Sequence, residues 1–406
     1  MVSLKEVTRF NERARRNVAI LETLRRGGPL TKAEISNMVG LNVVTVTNYI
    51  NHFLEEDFVV EKELDISQGG RRPVLLDLNP DAGYVIGVGV NMNNLVGVIA
   101  NIDGQILTQV KKTPEKMEIR DIVATIRQIV REVLDNFDGD KSKIKGVGIG
   151  IGGIVDQQSG SIKWPEKISE DRYEYVSIYV PLKDYIEREF NLPTLVENDA
   201  TVAAFGEYWF YMDSSVEDLV YMFSGVGCGM IINGDLYRGA TGSAGELTLY
   251  NPEQSEVAKN SCFLGRPDAD LGIVAELKNQ LGKKREDVTP LMNLCNSNPA
   301  KITFDMVVDA LRQGDPIVRS VVKEKAYCLG LKTAFLVNLL NPQVVIIGGG
   351  LERLGSDLID VIRETVDSWA FHEIASAVRI IPSRLGENAV ALGSASLVMR
   401  NVFAQL

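Results

Sequence analysis

The chain has 406 residues, of which 45% are hydrophobic and 24% charged, and its formal net charge is −11. That composition belongs to a globular protein of two or three structural units. No apolar run is long enough to span a bilayer, and the N-terminal residues lack an apolar signal core, so a cytoplasmic protein with no membrane partner is expected. Cys228, Cys262, Cys295 and Cys328 are scattered without a C-x-x-C pair, which argues against a disulfide framework. His52 and His372 are the two histidines, so no four-ligand zinc cluster is expected.

Charge is unevenly spread. Residues 1–80 hold 11 basic and 11 acidic side chains, so the excess acid lies in 81–406. Within 1–32 there are 8 basic residues against 3 acidic ones, the pattern of an acidic body with a basic head that touches nucleic acid. Val18, Leu21 and Leu24 predict a first helix that stops at Gly27-Gly28-Pro29. Thr31 and Glu34 form a capping box for a second helix, with Ile35, Met38 and Val39 as its apolar face. Gly40 makes the turn, and Asn42 caps a third helix over residues 43–55 that buries Val46, Ile50, Phe53 and Leu54. Residues 58–61 and 74–78 alternate as paired strands joined through Gly69-Gly70-Arg71-Arg72-Pro73. The whole is a winged helix-turn-helix. Its expected DNA contacts are Thr31 and Lys32 at the second helix, and Asn42, Val43, Val44, Thr45, Thr47, Asn48 and Asn51 on the third. Methyl groups there suit thymine and asparagine suits adenine. Arg71 and Arg72 at the wing tip suit a narrow minor groove.

The body begins with two apolar runs, 84–90 and 95–100, joined by Asn91-Met92-Asn93-Asn94, and a hairpin turn at 102–105 leads into a third strand. A helix over 121–137, a Gly-rich buried strand over 144–155, a helix over 181–190 and a strand over 194–197 follow. The same strand, Gly turn, strand and hairpin recur from Asp218 to Asp235. Two similar α/β lobes with a cleft between them are predicted.

Four motifs in order, GIGIGGIVD at 148–156, Glu197-Asn198-Asp199-Ala200, the Gly239, Gly242, Ala244, Gly245, Glu246 set, and Asn341-Pro342 running to Gly348-Gly349-Gly350, resemble those of the ROK family (repressors, open reading frames, kinases). The likeness covers nearly the whole chain and is greatest to the family's full-length sugar-responsive repressors of the xylose and N-acetylglucosamine type. It implies an α/β fold in which an N-terminal winged helix-turn-helix, residues 1–80, precedes a two-lobed actin/hexokinase-like (ribonuclease H-like) domain. Lobe 1 is expected at 81–200 together with 385–406, and lobe 2 at 201–384.

Against the family pattern, the first hairpin lacks the Asp-x-Gly-Gly-Thr type of phosphate loop. Val90 to Asn94 offers neither the acid, the glycines nor the hydroxyl, and such a string makes a poor anion nest. The second loop, Ser224 to Gly229, keeps its glycines. Thr248-Leu249 stands where the family has Gly-His, and Leu264 and Ala269 replace cysteine ligands, so no metal and no cofactor are expected. Asp199 matches the kinase base and is expected here only to accept a sugar hydroxyl. The resemblance carries Gly153, Asn198, Asp199 and Glu246 over as sugar-binding residues, with Glu166 or Lys167 nearest to the place of the family's loop asparagine and Trp164 as packing or stacking residue. These readings point to a transcriptional regulator, a repressor of carbohydrate uptake or catabolism genes. Its partners would be operator DNA, a sugar or polyol in the cleft, and a second copy in a homodimer or dimer of dimers. The alternatives are an ATP-dependent sugar kinase, and a repressor controlled by a protein of the sugar phosphotransferase system.

Overall fold

The computed structural model describes residues 11–406 except 63–73, 117, 157, 170–171, 176–178, 214, 248–269 and 284–288, and only the backbone of 165–169 and 172–175. Helix α1 (Glu12–Gly27) is capped by Asn11, which accepts from the Ala14 amide at 2.8 Å, and it buries Ile20, Leu21 and Leu24 completely. Helix α2 (Lys32–Val39) starts on a complete capping box between Thr31 and Glu34 and ends at Gly40, whose φ is +66°. Asn42 then accepts from the Thr45 amide at 2.8 Å to start α3 (Val43–Glu55), which buries Val46, Ile50 and Phe53. β1 (Val59–Lys62) and β2 (Leu75–Leu78) pair antiparallel. Met38 departs from expectation, being 59% exposed. The eight-residue α2 turns at once into α3, and Ser36 takes the inner face by donating its hydroxyl to the Leu41 carbonyl.

The body contains two sheets with the same connectivity. β3 (Tyr84–Val90), β4 (Leu95–Asn101) and β5 (Ile106–Lys112) are antiparallel and lead to α4 (Ile119–Asp135). β6 (Ile144–Ile151) joins parallel to β3; the small hairpins β7 (Ile154–Asp156) with β8 (Ser161–Lys163), and β9 (Pro165–Ser169) with β10 (Arg172–Tyr175), follow it. After α5 (Leu182–Phe190), β11 (Thr194–Asn198) adds parallel to β6 and runs directly into α6 (Asp199–Tyr211). The second sheet repeats the plan with β12 (Leu219–Phe223), β13 (Gly227–Ile232) and β14 (Asp235–Leu236) antiparallel. Helices α7 (Ile273–Lys283), α8 (Pro290–Leu294), α9 (Phe304–Arg312) and α10 (Pro316–Leu340) lead to β15 (Val344–Gly348). Then come α11 (Ser356–Trp369), α12 (His372–Ala375), β16 (Arg379–Pro382) and α13 (Ala389–Gln405). The strand orders are β11-β6-β3-β4-β5 and β14-β13-β12-β15-β16.

Helices α6 and α13 form the layer between the sheets, α13 against β3 and β6, α6 against β12 and β13. Their approach depends on glycine: a Cβ on Gly393 would lie 1.8 Å from the Val202 carbonyl oxygen, and one on Gly206 would lie 2.9 Å from the Gly393 Cα. The remaining helices cover the outer faces, giving each sheet its own apolar core. The head shares the middle core, where Phe58 meets Phe403 edge-on at 6.5 Å. Cys228 and Cys295 are buried free thiols, while Cys328 is disulfide-bonded, a link that the cysteine spacing did not predict. No described helix is long and apolar enough to cross a membrane.

Candidate functional site

A cavity of about 270 Å³ opens between the sheets, where β11 passes into α6. Gly152, Gly153 and Trp164 line one side, the 224–228 loop and the 242–246 turn the other, and Val90, Asn91 and Met92 close it. Gly153 has φ +91°, and a Cβ there would meet the Lys163 carbonyl at 2.8 Å, so only glycine fits. Its own carbonyl accepts from Asn198 Nδ2 at 3.4 Å, while Asn198 Oδ1 accepts from the Thr201 amide at 3.2 Å and caps α6. Asn198 thus spends its amide in fixing Gly153 and the start of the helix, and thereby places Asp199. Burial pushes the Asp199 carboxyl up to about 7; the Ala200 amide, donating at 2.8 Å, opposes the rise, and the charge of nearby Glu246 adds to it. Burial also raises Glu246, which is held by a bridge to Gly227. The Cys228 thiol, buried and close to Glu246, is pushed up to about 12 and stays protonated.

Four of the five predicted sugar-site residues, Gly153, Asn198, Asp199 and Glu246, therefore line one cavity. Glu166 lies in β9, where only the backbone is described. Ser224 is a lining residue that sequence reasoning did not nominate. It is buried with φ +55°, and its hydroxyl has no hydrogen-bond partner among the described residues. The Ser-Gly-x-Gly pattern was the available signal. Lys332 of α10 fixes that loop from behind, donating from Nζ to the Gly225 carbonyl at 3.1 Å.

A larger cavity of about 1050 Å³ adjoins it, lined in part by Asn91 to Asn94, Lys111, Asp270, Phe304, Asp305, Glu352, Arg353 and Glu387. The Asn91 amide donates to the Asn94 carbonyl at 2.8 Å, and its side chain donates to Asn94 Oδ1 and the Glu387 carbonyl at 3.1 and 3.0 Å. Both lining cations are paired, Lys111 with Glu387 and Arg353 with Asp305, which leaves Asp270 and Glu352 in excess. The 248–269 segment lies outside the described residues, and with it the positions where zinc ligands were missed; among the described residues no cluster could hold a metal.

In the head, Asn42, Val43, Val44, Asn48 and Asn51 are exposed along the outer side of α3, with Val44 at 72%. Thr45, Thr47, Thr31 and Lys32 are half-buried. Thr31 and Asn42 cap helices, and Thr47 donates its hydroxyl back to the Val43 carbonyl at 2.8 Å. Arg71 and Arg72 lie outside the described residues. The rear of the head is fastened to the body. Arg25 donates to the Trp209 carbonyl and lies over the Trp209 ring at 4.7 Å, while Arg26 donates to the Met212 carbonyl at 3.1 Å. Burial lowers the Arg25 guanidinium to about 10, still protonated at neutral pH. Arg13 and His52 both meet the Leu406 carbonyl at 2.8 Å. Sequence reasoning gave His52 no role.

The ROK family pattern matches residues 85–401. The chain belongs to the ROK family. The xylose repressor of Caldicellulosiruptor bescii is 30% identical over 397 residues, 95% of each chain. A solved ROK family transcriptional regulator, a homologue of the E. coli MLC protein, superposes with a TM-score of 0.73 over 97% of each chain at 18% identity. A ROK family glucokinase from Streptomyces griseus, solved with glucose and AMPPNP, reaches 0.65 at 27% identity but covers 78% of this chain and 99% of its own. The fold is thus a winged helix-turn-helix joined to the two-lobed ROK domain.

Proposed function

We propose that the protein is a DNA-binding transcriptional repressor of carbohydrate genes, acts as a homodimer, and is governed by a sugar or polyol held in the 270 Å³ cavity. The observation that carries this reading is the extent of likeness: the repressor relative matches 95% of the chain, whereas the glucokinase match covers 78%. The difference corresponds to a head whose outer α3 face is free and uncharged at its tip. The cavity fits neutral hydroxyls, with the Asp199 and Glu246 carboxyl groups, the buried Ser224 hydroxyl and no lysine or arginine among its described lining residues. Each unpaired buried polar group costs about 1–3 kcal/mol, so a ligand that satisfies these groups gains affinity and selectivity together. Gly153, Asn198, Asp199 and Glu246 form the sugar site, Asn198 by placing its neighbours. Asn48, Asn51, Val44 and the Arg71-Arg72 wing read DNA.

The second reading, a sugar kinase, is favoured by Asp199 and by the glucokinase likeness. Against it stands the adjoining cavity, where a triphosphate would face an excess of carboxylates and a turn whose Asn91 amide is already spent. The test is a panel of pentoses, hexoses, N-acetyl sugars and inositols in thermal-shift and operator-binding assays, beside a coupled ADP assay. A sugar that alters operator affinity without ADP release is expected. Sustained turnover with ATP would reverse the choice. In the same assays Glu246→Ala should lose the sugar response and keep apo operator affinity.

A further inference from the structure

The two cavities between the sheets share a wall. Asn91, Met92 and Phe223 line both of them. Met92 stands at the junction: it closes the smaller cavity, and a Cβ on Gly350, in the lining of the larger one, would lie 3.9 Å from its Cε. Ser224 lies at the same place. A Cβ on Gly349, also in the lining of the larger cavity, would lie 2.6 Å from the Ser224 amide nitrogen. The Ser224 residue is 1% exposed, sits at φ +55°, and its hydroxyl has no hydrogen-bond partner among the described residues. An unpaired buried hydroxyl is destabilising, and a polar ligand atom at the junction relieves it.

The larger cavity has the lining of a site for hydroxyl groups. Asp270 accepts from the Gly272 and Val274 amides, both at 3.0 Å, and Glu352 accepts from the Gly350 amide at 2.9 Å. These bonds hold both carboxyl groups in place. A carboxylate offers about four acceptor positions, so each can take further donors. The lining cations, Lys111 and Arg353, are engaged by Glu387 and Asp305. Met92, Val274 and Ile302 add apolar surface for the C–H face of a ring.

We propose that the two cavities form one site for a neutral disaccharide or longer oligosaccharide. The first sugar unit lies against Asp199 and Glu246, the linkage passes Ser224 and Met92, and the second unit occupies the larger cavity. This inference rests on the reading of the smaller cavity as a sugar site and names the class of its ligand. Size supports it. Ligand pockets span roughly 300–1,000 Å³ and bury about 70–90% of a bound molecule. The smaller cavity, about 270 Å³, lies just below that range, and a single unit held there would keep one side open to the larger cavity of about 1050 Å³. A second unit covers that side. Charge sets the selectivity: carboxyl groups in excess repel a phosphate and accept from neutral hydroxyls, so phosphorylated sugars are rejected.

The test is titration calorimetry of the full chain with a set of pentoses and hexoses, each beside its α- and β-linked homodisaccharides and its phosphate ester. One disaccharide is expected to bind at least ~10-fold more tightly than its own monosaccharide, and the phosphate ester more weakly than either. Val274→Trp fills part of the larger cavity alone. It should abolish the preference for the disaccharide and leave monosaccharide affinity within a few-fold of wild type. Thr113→Trp, at an exposed position in the same lining, should act in the same direction and serves if Val274→Trp lowers the thermal midpoint. A monosaccharide that binds while all its disaccharides bind no better would overturn the extended site and leave the sugar reading standing. So would a disaccharide preference that survives both substitutions, or tighter binding of a phosphate ester. A chain that binds none of these sugars would sink the sugar reading itself, and the extended site with it.

Discussion

Asp199 shows how much one residue can carry. Its carboxyl has an ordinary value of 3.8 and titrates at about 7 in the folded chain, chiefly through burial. The folded protein therefore holds a proton that the unfolded chain releases from pH 4 upward. This contribution to stability is complete below about pH 4 and is lost as pH rises through 7. Asp199→Asn keeps the Oδ1 that accepts from the Ala200 amide and removes the titration. We expect the variant to be more stable than wild type at pH 8, by about 2–4 kcal/mol, and the two to converge near pH 4. Thermal melts of the apo protein across that range check it; parallel profiles would mean that Asp199 is solvated in solution. The position was legible because Glu-Asn-Asp-Ala is a family motif. What the motif could not convey is that Asn198 is occupied with its own helix and with Gly153, because capping and ligand binding use the same amide atoms.

At the scale of elements, the α6–α13 pair is the least yielding part of the body. Gly393→Ala would place a methyl against the Val202 carbonyl, with backbone on both sides and no flexible side chain to retreat. Overpacking of this kind costs about 1–3 kcal/mol, so the urea midpoint should fall while the sugar site keeps its residues; an unchanged midpoint would show that the helices separate freely. Most strands and the three head helices were readable from alternation, caps and glycine turns, since those signals act over a few residues. The middle layer was not. Helix α13 is apolar and small-sided on nearly every face, so its pattern says that it is buried without saying between which sheets. The clasp residues Arg13, Arg25 and Arg26 read as part of a basic head for DNA, yet Arg25 is half-buried and lies over the Trp209 ring. Only the folded chain brings residues 25 and 209 together.

The whole molecule places the proposed sugar cavity at the start of α6 and the clasp of the head at the far ends of α6 and α13. Helix α6 has Asp199 in the cavity and its last carbonyls, with that of Met212, under Arg25 and Arg26; α13 runs beside it to Leu406, which Arg13 of α1 and His52 of α3 hold. A ligand that favours one arrangement of the sheets must shift these helices together, since Gly206 and Gly393 leave them no slack. The clasp then decides whether the head follows. Arg25→Gln/Arg26→Gln shortens both grips while leaving the cavity and the outer face of α3 untouched. Sugar affinity without DNA should stay within a few-fold of wild type, and so should apo operator affinity. The ratio of operator affinities with and without sugar, commonly 5–150-fold in such systems, should collapse towards one. Reciprocity provides an internal check, because sugar affinity measured on and off the operator must change by the same ratio. If the double variant keeps the wild-type ratio in both directions, the signal travels by another route, and the clasp serves only to hold the head in place.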